Sequence, residues 1–159
     1  MSLDKFEKII NDSFDNKEKI NVDSDASIVK AINETIELVD QGKIRVAEKK
    51  GNKWIVNQWI KKAILLSFKV NKMQILHGPY TSWWDKVPGK SVNWTEEDWK
   101  KAGYRHVPNG VVRKGSFIAK NAVLMPCFIN LGAYVDEGTM IDTWASVGSC
   151  AQVGKNCHV

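Results

Sequence analysis

The feature that most constrains the fold of this chain is a repeat of large apolar residues every six positions from Val111 to Val159. The ladder consists of Val111, Phe117, Val123, Ile129, Val135, Ile141, Val147, Val153 and Val159. The residue four places after each member is small in most repeats, with Asn121 as the exception. Because strand side chains alternate between two faces, six residues hold one short segment and a corner. Stacking such segments gives a parallel β-helix, and we expect every member of the ladder to point into it.

A β-sandwich is the alternative fold for a chain of short apolar strands. Its strands would follow one another at intervals of about 8 to 12 residues, with loops of variable length. The unbroken period of six favours the β-helix instead, and the eight full hexapeptides correspond to a little under three coils.

The N-terminal part has helical rather than hexapeptide spacing. The pattern predicts helices over 3–15 with Ser2 as N-cap, from 24 or 25 to Gly42, over 58–68 with Asn57 as N-cap, and from Thr95 to Gly103. Two β-prone runs around Gly51-Asn52 predict a hairpin. The fold class is therefore α+β, with a mainly helical domain at 1–104 and a β-helix at 105–159.

Tryptophans are concentrated in the first hundred residues. We expect them to fill the core of a small N-terminal domain, which has little else of that size. They are Trp54, Trp59, Trp83, Trp84, Trp94 and Trp99. Trp144, in the repeat, is expected to project outward and to contact another subunit, with packing against the substrate as the alternative.

Composition excludes several classes of function. The net charge of +5 comes from dispersed basic residues, which does not favour nucleic-acid binding. Three cysteines without a CxxC pair indicate a reducing compartment, and we expect Cys150 to be an unreactive thiol. No apolar run has the length of a transmembrane helix. Only His158 of the three histidines lies inside the repeat, so no metal site is predicted.

The segment INLGAYVDEGTMIDTWASVGSCAQVGKN, residues 129–156, closely resembles the tetrahydrodipicolinate N-succinyltransferase family. The resemblance extends back through residues 45–49, 59–68, 85–88 and 103–108, and so covers nearly the whole chain. It implies a bacterial, cytoplasmic acyltransferase of lysine and diaminopimelate biosynthesis. Such an enzyme transfers succinyl from the co-substrate succinyl-CoA to the amine of hydrated tetrahydrodipicolinate, 2-amino-6-oxopimelate, without a permanently bound cofactor. It also implies a left-handed β-helix and a homotrimer with active sites between subunits.

The resemblance assigns two site residues in this sequence. Asp142 matches a substrate-binding aspartate that could also help to remove the proton of the amine. Arg105 matches a substrate-binding arginine, whose guanidinium suits a carboxylate. The alternatives are a corner aspartate that binds backbone amides and a surface ion pair at the domain junction. The adjacent carboxylates Asp136 and Glu137 are expected to be structural.

Family members continue past the position of Val159, so the chain is expected to be truncated at its C-terminus. The coenzyme A contacts and a catalytic glutamate are expected in the missing coils. We therefore expect residues 1–159 alone to be inactive and to bind coenzyme A weakly. The alternative functions are a structural trimerising β-helix and a hexapeptide acyltransferase with another acceptor.

Overall fold

The fold is described from a computed structural model, which covers residues 2–78 and 80–159. A helical region with two β-hairpins comes first, and nine short strands follow. The helices are α1 (Leu3–Asp15), α2 (Ala26–Asp40), α3 (Gln58–Val70) and α4 (Glu96–Ala102), with a 3₁₀ turn at Lys17–Lys19. The hairpin strands are β1 (Ala47–Lys50), β2 (Lys53–Val56), β3 (Gln74–His77) and β4 (Ser82–Asp85). The short strands are β5 (Arg105–His106), β6 (Val111–Val112), β7 (Phe117–Ile118), β8 (Val123–Leu124), β9 (Phe128–Ile129), β10 (Tyr134–Val135), β11 (Met140–Ile141), β12 (Ser146–Val147) and β13 (Gln152–Val153).

Helices α1, α2 and α3 pack on one another around a shared apolar core, as their spacing predicts. Ile10, Ile32 and Ile60 are almost fully buried there. The side chain of Asp25 caps α2 by accepting a hydrogen bond of 2.7 Å from the backbone N–H of Ser27. Asn57 occupies the N-cap of α3, but its side chain donates to the backbone oxygen of Arg45 instead of capping the helix.

The expectation that the tryptophans fill this core is wrong for most of them. Only Trp59 is buried in it, with 8% of its surface exposed. The predicted hairpin is confirmed as β1 and β2, but Trp54 on β2 is 62% exposed. A second antiparallel hairpin, β3 and β4, was not predicted, and it carries Trp83 and Trp84 at 53% and 63% exposure.

The nine short strands form three parallel sheets, so the predicted β-helix is confirmed. The strand orders are β5-β8-β11, β6-β9-β12 and β7-β10-β13. Each successive strand belongs to the next sheet, and three strands complete one coil. This arrangement is consistent with the left-handed β-helix that the family resemblance implies.

The phase of the ladder differs from the prediction in strands β6, β7 and β8. There the second residue of each strand points inward: Val112, Ile118 and Leu124 are at most 4% exposed. Val111 is instead 48% exposed, and Phe117 and Val123 are half-buried. From Ile129 to Val147 the predicted ladder is correct, since all four members are at most 3% exposed, whereas Val153 is half-buried and Val159 is 47% exposed. Parallel partners accordingly lie 17 residues apart between the first coil and the second at β6 and β9, and 18 apart at β9 and β12.

The one-residue shortening lies at the corner that contains Met125 and Pro126. Corners elsewhere in the β-helix hold one residue with a positive φ. These residues are Asn109, Gly115, Asn121, Gly132, Gly138, Trp144, Cys150 and Asn156. The proline ring fixes φ at about −65° and excludes that conformation. The chain therefore turns the corner with one residue fewer. Before this corner every inward position lies one residue later than the unbroken period predicts, so the inward small residue of that repeat is Ala122, at 1% exposure, and not Asn121.

An aromatic cluster lies against the first coil. The ring centroids of Trp94 and Trp99 are 4.8 Å apart, and those of Trp99 and Tyr104 are 5.6 Å apart. The imidazole of His106, in the first strand of the β-helix, lies 5.9 Å from Trp99. Trp94 and Trp99 therefore pack on the core of the β-helix and not on the helical core where we expected them. Helix α4, which carries Trp99, has the predicted cap at Thr95, where Asp98 completes a capping box.

A buried ion pair joins α2 to the start of the β-helix. The carboxylate of Asp40 lies 2.7 Å from the ammonium of Lys90, with side-chain exposures of 14% and 6%. The other oxygen of Asp40 accepts a hydrogen bond of 2.7 Å from the backbone N–H of Gly115. The helical region is thereby held against the first coil through a polar contact that is shielded from water.

Candidate functional site

The candidate site lies on the outer face of the sheet formed by β5, β8 and β11. The parallel register aligns Arg105 with Val123 and Val123 with Met140. A further bridge aligns Met140 with His158. Because neighbouring strands are about 4.8 Å apart, Arg105 and His158 lie at opposite ends of a column about 14 Å long.

Asp142 follows β11 at the corner beside this column. Its Oδ1 accepts a hydrogen bond of 2.7 Å from the backbone N–H of Thr143. Its Oδ2 lies 3.1 Å from Nε2 of His158, and the Asp142 side chain remains 50% exposed. The backbone amide interaction that we considered as an alternative role is therefore present. It leaves the carboxylate open to solvent and hence to a ligand.

Interactions with Thr143 and His158 lower the pKa of the Asp142 carboxyl below its ordinary value. The larger contribution comes from the backbone N–H of Thr143, and the second from His158. Both donors stabilise the ionised form. Asp142 is consequently a carboxylate at neutral pH, which suits the binding of a cation better than the removal of a proton.

Arg105 begins the first strand of the β-helix, with its side chain exposed. The backbone N–H of Arg105 donates to the oxygen of Ala122 at 2.9 Å, which fixes the strand and leaves the guanidinium on the outer wall. Arg105 forms no ion pair within the part of the chain that the structure describes. The alternative role of Arg105, a structural ion pair at the domain junction, is therefore not supported among those residues. No contact joins Arg105 to Asp142.

Trp144 projects outward beside Asp142, as predicted. Its side chain is 84% exposed, and its φ of 62° places it in the left-handed region at a corner. The backbone N–H of Trp144 donates to the oxygen of Pro126 at 2.8 Å, which ties this corner to the short corner of the preceding coil. A large, exposed indole thus follows the carboxylate by two residues at this corner.

The other candidates from the sequence occupy structural positions. Glu137 forms an ion pair of 3.3 Å with Lys155 one coil further along, and Asp136 accepts a hydrogen bond from the Glu137 N–H. Cys150 lies at a corner with φ of 65°. Within residues 2–78 and 80–159, no three His, Cys, Asp or Glu side chains are grouped closely enough to hold a metal ion. None of the helices in those ranges has the length and apolar character that crossing a membrane requires.

His158 is the site residue that the sequence reasoning missed. We considered it only as a metal ligand. Its position 18 residues after Met140 equals one full coil, and this spacing would have placed it beside Asp142. The signal was therefore present in the sequence, but it required the coil length in addition to the period of six.

The helical region, the three-sheet solenoid and the outer-wall carboxylate define a hexapeptide-repeat β-helix protein with a helical N-terminal domain. Residues 5–70 match the family model described as tetrahydrodipicolinate N-succinyltransferase N-terminal. Three relatives carry the name 2,3,4,5-tetrahydropyridine-2,6-dicarboxylate N-succinyltransferase. That from Pelagibacter ubique is 67% identical over 99% of this chain, that from Methylorubrum extorquens 53% over 100%, and that from Parvibaculum lavamentivorans 51% over 100%. The chain belongs to the tetrahydrodipicolinate N-succinyltransferase family, and it spans 58% of the length of each of these relatives.

Proposed function

We propose that the protein to which this chain belongs transfers succinyl from succinyl-CoA to the amine of hydrated tetrahydrodipicolinate, in the cytoplasm of a bacterium. The observation that carries the proposal is the oriented, half-exposed carboxylate of Asp142 on the outer wall. The names of relatives up to 67% identical support the identity of the acyl group and of the acceptor. Both substrates are diffusible small molecules, and neither nucleic acid nor a membrane has a part in the reaction.

The reaction forms a C–N bond and breaks a thioester C–S bond. The neutral amine attacks the thioester carbonyl, and coenzyme A leaves as the thiolate. The amine loses one proton as the amide forms, and one proton is taken up by the thiolate to give the free thiol. Asp142 binds the acceptor ammonium and orients its nitrogen before deprotonation, a role that needs an ionised carboxylate. The lowered pKa of Asp142 supports this binding role. A carboxylate with a lowered pKa is a poor base for direct removal of the proton, because a general base works best with a pKa near the working pH.

Arg105 supplies the cation for a carboxylate of the acceptor. It lies about two strand spacings, or about 10 Å, from Met140 along the outer column. We propose that the acceptor binds between subunits of a homotrimer, with Arg105 and Asp142 contributed by different protomers. The separation of these residues within one chain supports this arrangement, as does the exposed indole of Trp144.

The test uses the full-length polypeptide with 2-aminopimelate and succinyl-CoA, and it follows thiol release. We expect turnover in the unchanged protein. Asp142→Asn and Arg105→Ala should each lower kcat/KM for the amine by at least about tenfold, since each removes a charged hydrogen bond. Asp136→Asn, a corner carboxylate one hexapeptide earlier, is the matched control and should keep its activity.

No thiol release from the unchanged protein would contradict the proposed reaction. Release with a different amine in place of 2-aminopimelate would favour the acyltransferase with another acceptor. A stable trimer with no transfer to any amine would favour the structural module. If Asp142→Asn turned over normally, the site assignment would be wrong even though the reaction was right. Residues 1–159 alone are expected to show no transfer and weak binding of coenzyme A.

A further inference from the structure

We propose that His158 is a positioning residue of the amine-binding site, where its Nε2–H group holds one oxygen of Asp142 so that the remaining lone pairs of the carboxylate face the acceptor amine. The inference rests on the proposed function, in which Asp142 binds the acceptor amine. The contact between the two side chains stands independently of it, with 3.1 Å between Nε2 and Oδ2.

The backbone fixes the place of His158 on the wall. The N–H of Met140 donates to the oxygen of Cys157 at 2.9 Å, and the N–H of Val159 donates to the oxygen of Met140 at 3.0 Å. The N–H of Asp142 then donates to the oxygen of Val159 at 2.8 Å. These bonds hold the segment on either side of His158 in parallel register with β11. The imidazole therefore occupies the outer column next to Met140, within reach of the carboxylate two residues further on.

The hydrogen bonds of Asp142 leave acceptor capacity free on both oxygens. A carboxylate oxygen has two lone pairs, and each oxygen of Asp142 uses one, on Thr143 for Oδ1 and on His158 for Oδ2. With two anchors the plane of the carboxylate is defined, whereas the Thr143 contact alone leaves rotation about that single bond. Fixing this plane before the amine arrives lowers the ordering cost of the productive complex.

His158 is suited to this role in either protonation state. The imidazolium and the neutral tautomer with hydrogen on Nε2 both donate from the nitrogen that faces Asp142. Within the two described ranges of the chain, His158 is the only basic side chain in an ion pair with Asp142. Half of the carboxylate and 65% of the imidazole remain exposed, so the pair does not close the site.

The experiment uses three variants of the full-length polypeptide. His158→Gln keeps an N–H donor at a similar reach, and His158→Phe keeps a planar ring but removes the donor. His77→Phe, at an exposed position on β3, is the control for loss of a histidine. The readouts are kcat/KM for 2-aminopimelate, KM for succinyl-CoA, and the pKa of the Asp142 carboxyl followed by carbon NMR without substrate.

We expect His158→Phe to lower kcat/KM for the amine by about tenfold or more and to leave KM for succinyl-CoA unchanged. The pKa of the Asp142 carboxyl should rise in this variant, because one of the two donors that lower it is lost. His158→Gln should retain activity within about threefold, as expected when a donor rather than a titrating base is needed.

Full activity of His158→Phe would overturn the proposal, as would equal losses in the Gln and Phe variants. An unchanged pKa of Asp142 in His158→Phe would show that the contact does not exist in solution, and would also overturn it. Failure of the proposed function looks different, because the unchanged protein would then release no thiol while the NMR comparison still reported on the pair.

Discussion

The phase of the first coil is tested by the adjacent valines 111 and 112, which offer the same substitution on opposite faces of one strand. Val112 is 4% exposed and Val111 is 48% exposed. Replacement of Val112 by Ala removes two buried methyl groups at about 0.8 kcal/mol each. The cavity that remains adds to this loss, so we expect the free energy of unfolding to fall by about 2 to 3 kcal/mol. Val111→Ala should cost less than about 1 kcal/mol, because half of its side chain is already in water.

Urea unfolding followed by circular dichroism measures this difference. The midpoint should shift clearly for Val112→Ala and little for Val111→Ala, with the same slope in both variants. Since the chemistry of the two substitutions is identical, side-chain type cannot account for the difference. Equal losses, or a larger loss at Val111, would refute the assignment of the inward face and restore the unbroken period from Val111.

Three further expectations concern the corners, the thiols and the domain junction. Asn156→Gly should raise the free energy of unfolding by about 0.5 kcal/mol, because the left-handed φ of 52° at this corner is less costly for glycine than for a residue with a side chain; thermal unfolding measures this, and a lower melting temperature would contradict it. Burial raises the pKa of the Cys127 thiol to about 11, so at about pH 8 a thiol reagent should react with buried Cys127 only after unfolding, and labelling of Cys127 in the folded protein would contradict this. Asp40→Ala should cost about 3 to 5 kcal/mol in urea unfolding, since it leaves a buried ammonium unpaired, and Asp40→Ala combined with Lys90→Met should recover part of that loss.

The sequence was sufficient for the type of solenoid but not for its phase. In β6, β7 and β8 both residues of the strand are apolar, as in Val111-Val112, so hydrophobicity cannot tell which one points inward. From Tyr134-Val135 onward the outward residue is more often polar or bears a polar group, and there the prediction was right. The deciding signal was the fixed φ of Pro126, a property of backbone geometry and not of hydrophobic patterning.

The tryptophans show a second limit of reasoning from one chain. Large aromatic residues are usually buried, yet Trp54, Trp83 and Trp84 are exposed on the two hairpins. Only the first of these hairpins was predicted from the sequence. Composition indicates that such residues need a surface to contact, but it does not say which surface. Both strands of the second hairpin, Gln74–His77 and Ser82–Asp85, were missed.

The candidate site was predicted in part for the same reasons. Asp142 could be identified because the local sequence around it resembles the family, and the structure places it on the outer wall. His158 could not be found from local sequence, because its relation to Asp142 depends on the length of a coil. Contacts across a coil follow from register, and register is a property of the whole stack.

The aromatic cluster against the first coil protects one end of the β-helix. In a solenoid each turn is held only by its neighbours, so a turn at an end unfolds less readily when other residues cover it. Trp94, Trp99 and Tyr104 cover the N-terminal end, and the helical region is bound to the same coil through Asp40. The amide hydrogens of the turns near Val112 should therefore exchange slowly, and the β-helix should not begin to open at the end nearest the helical region.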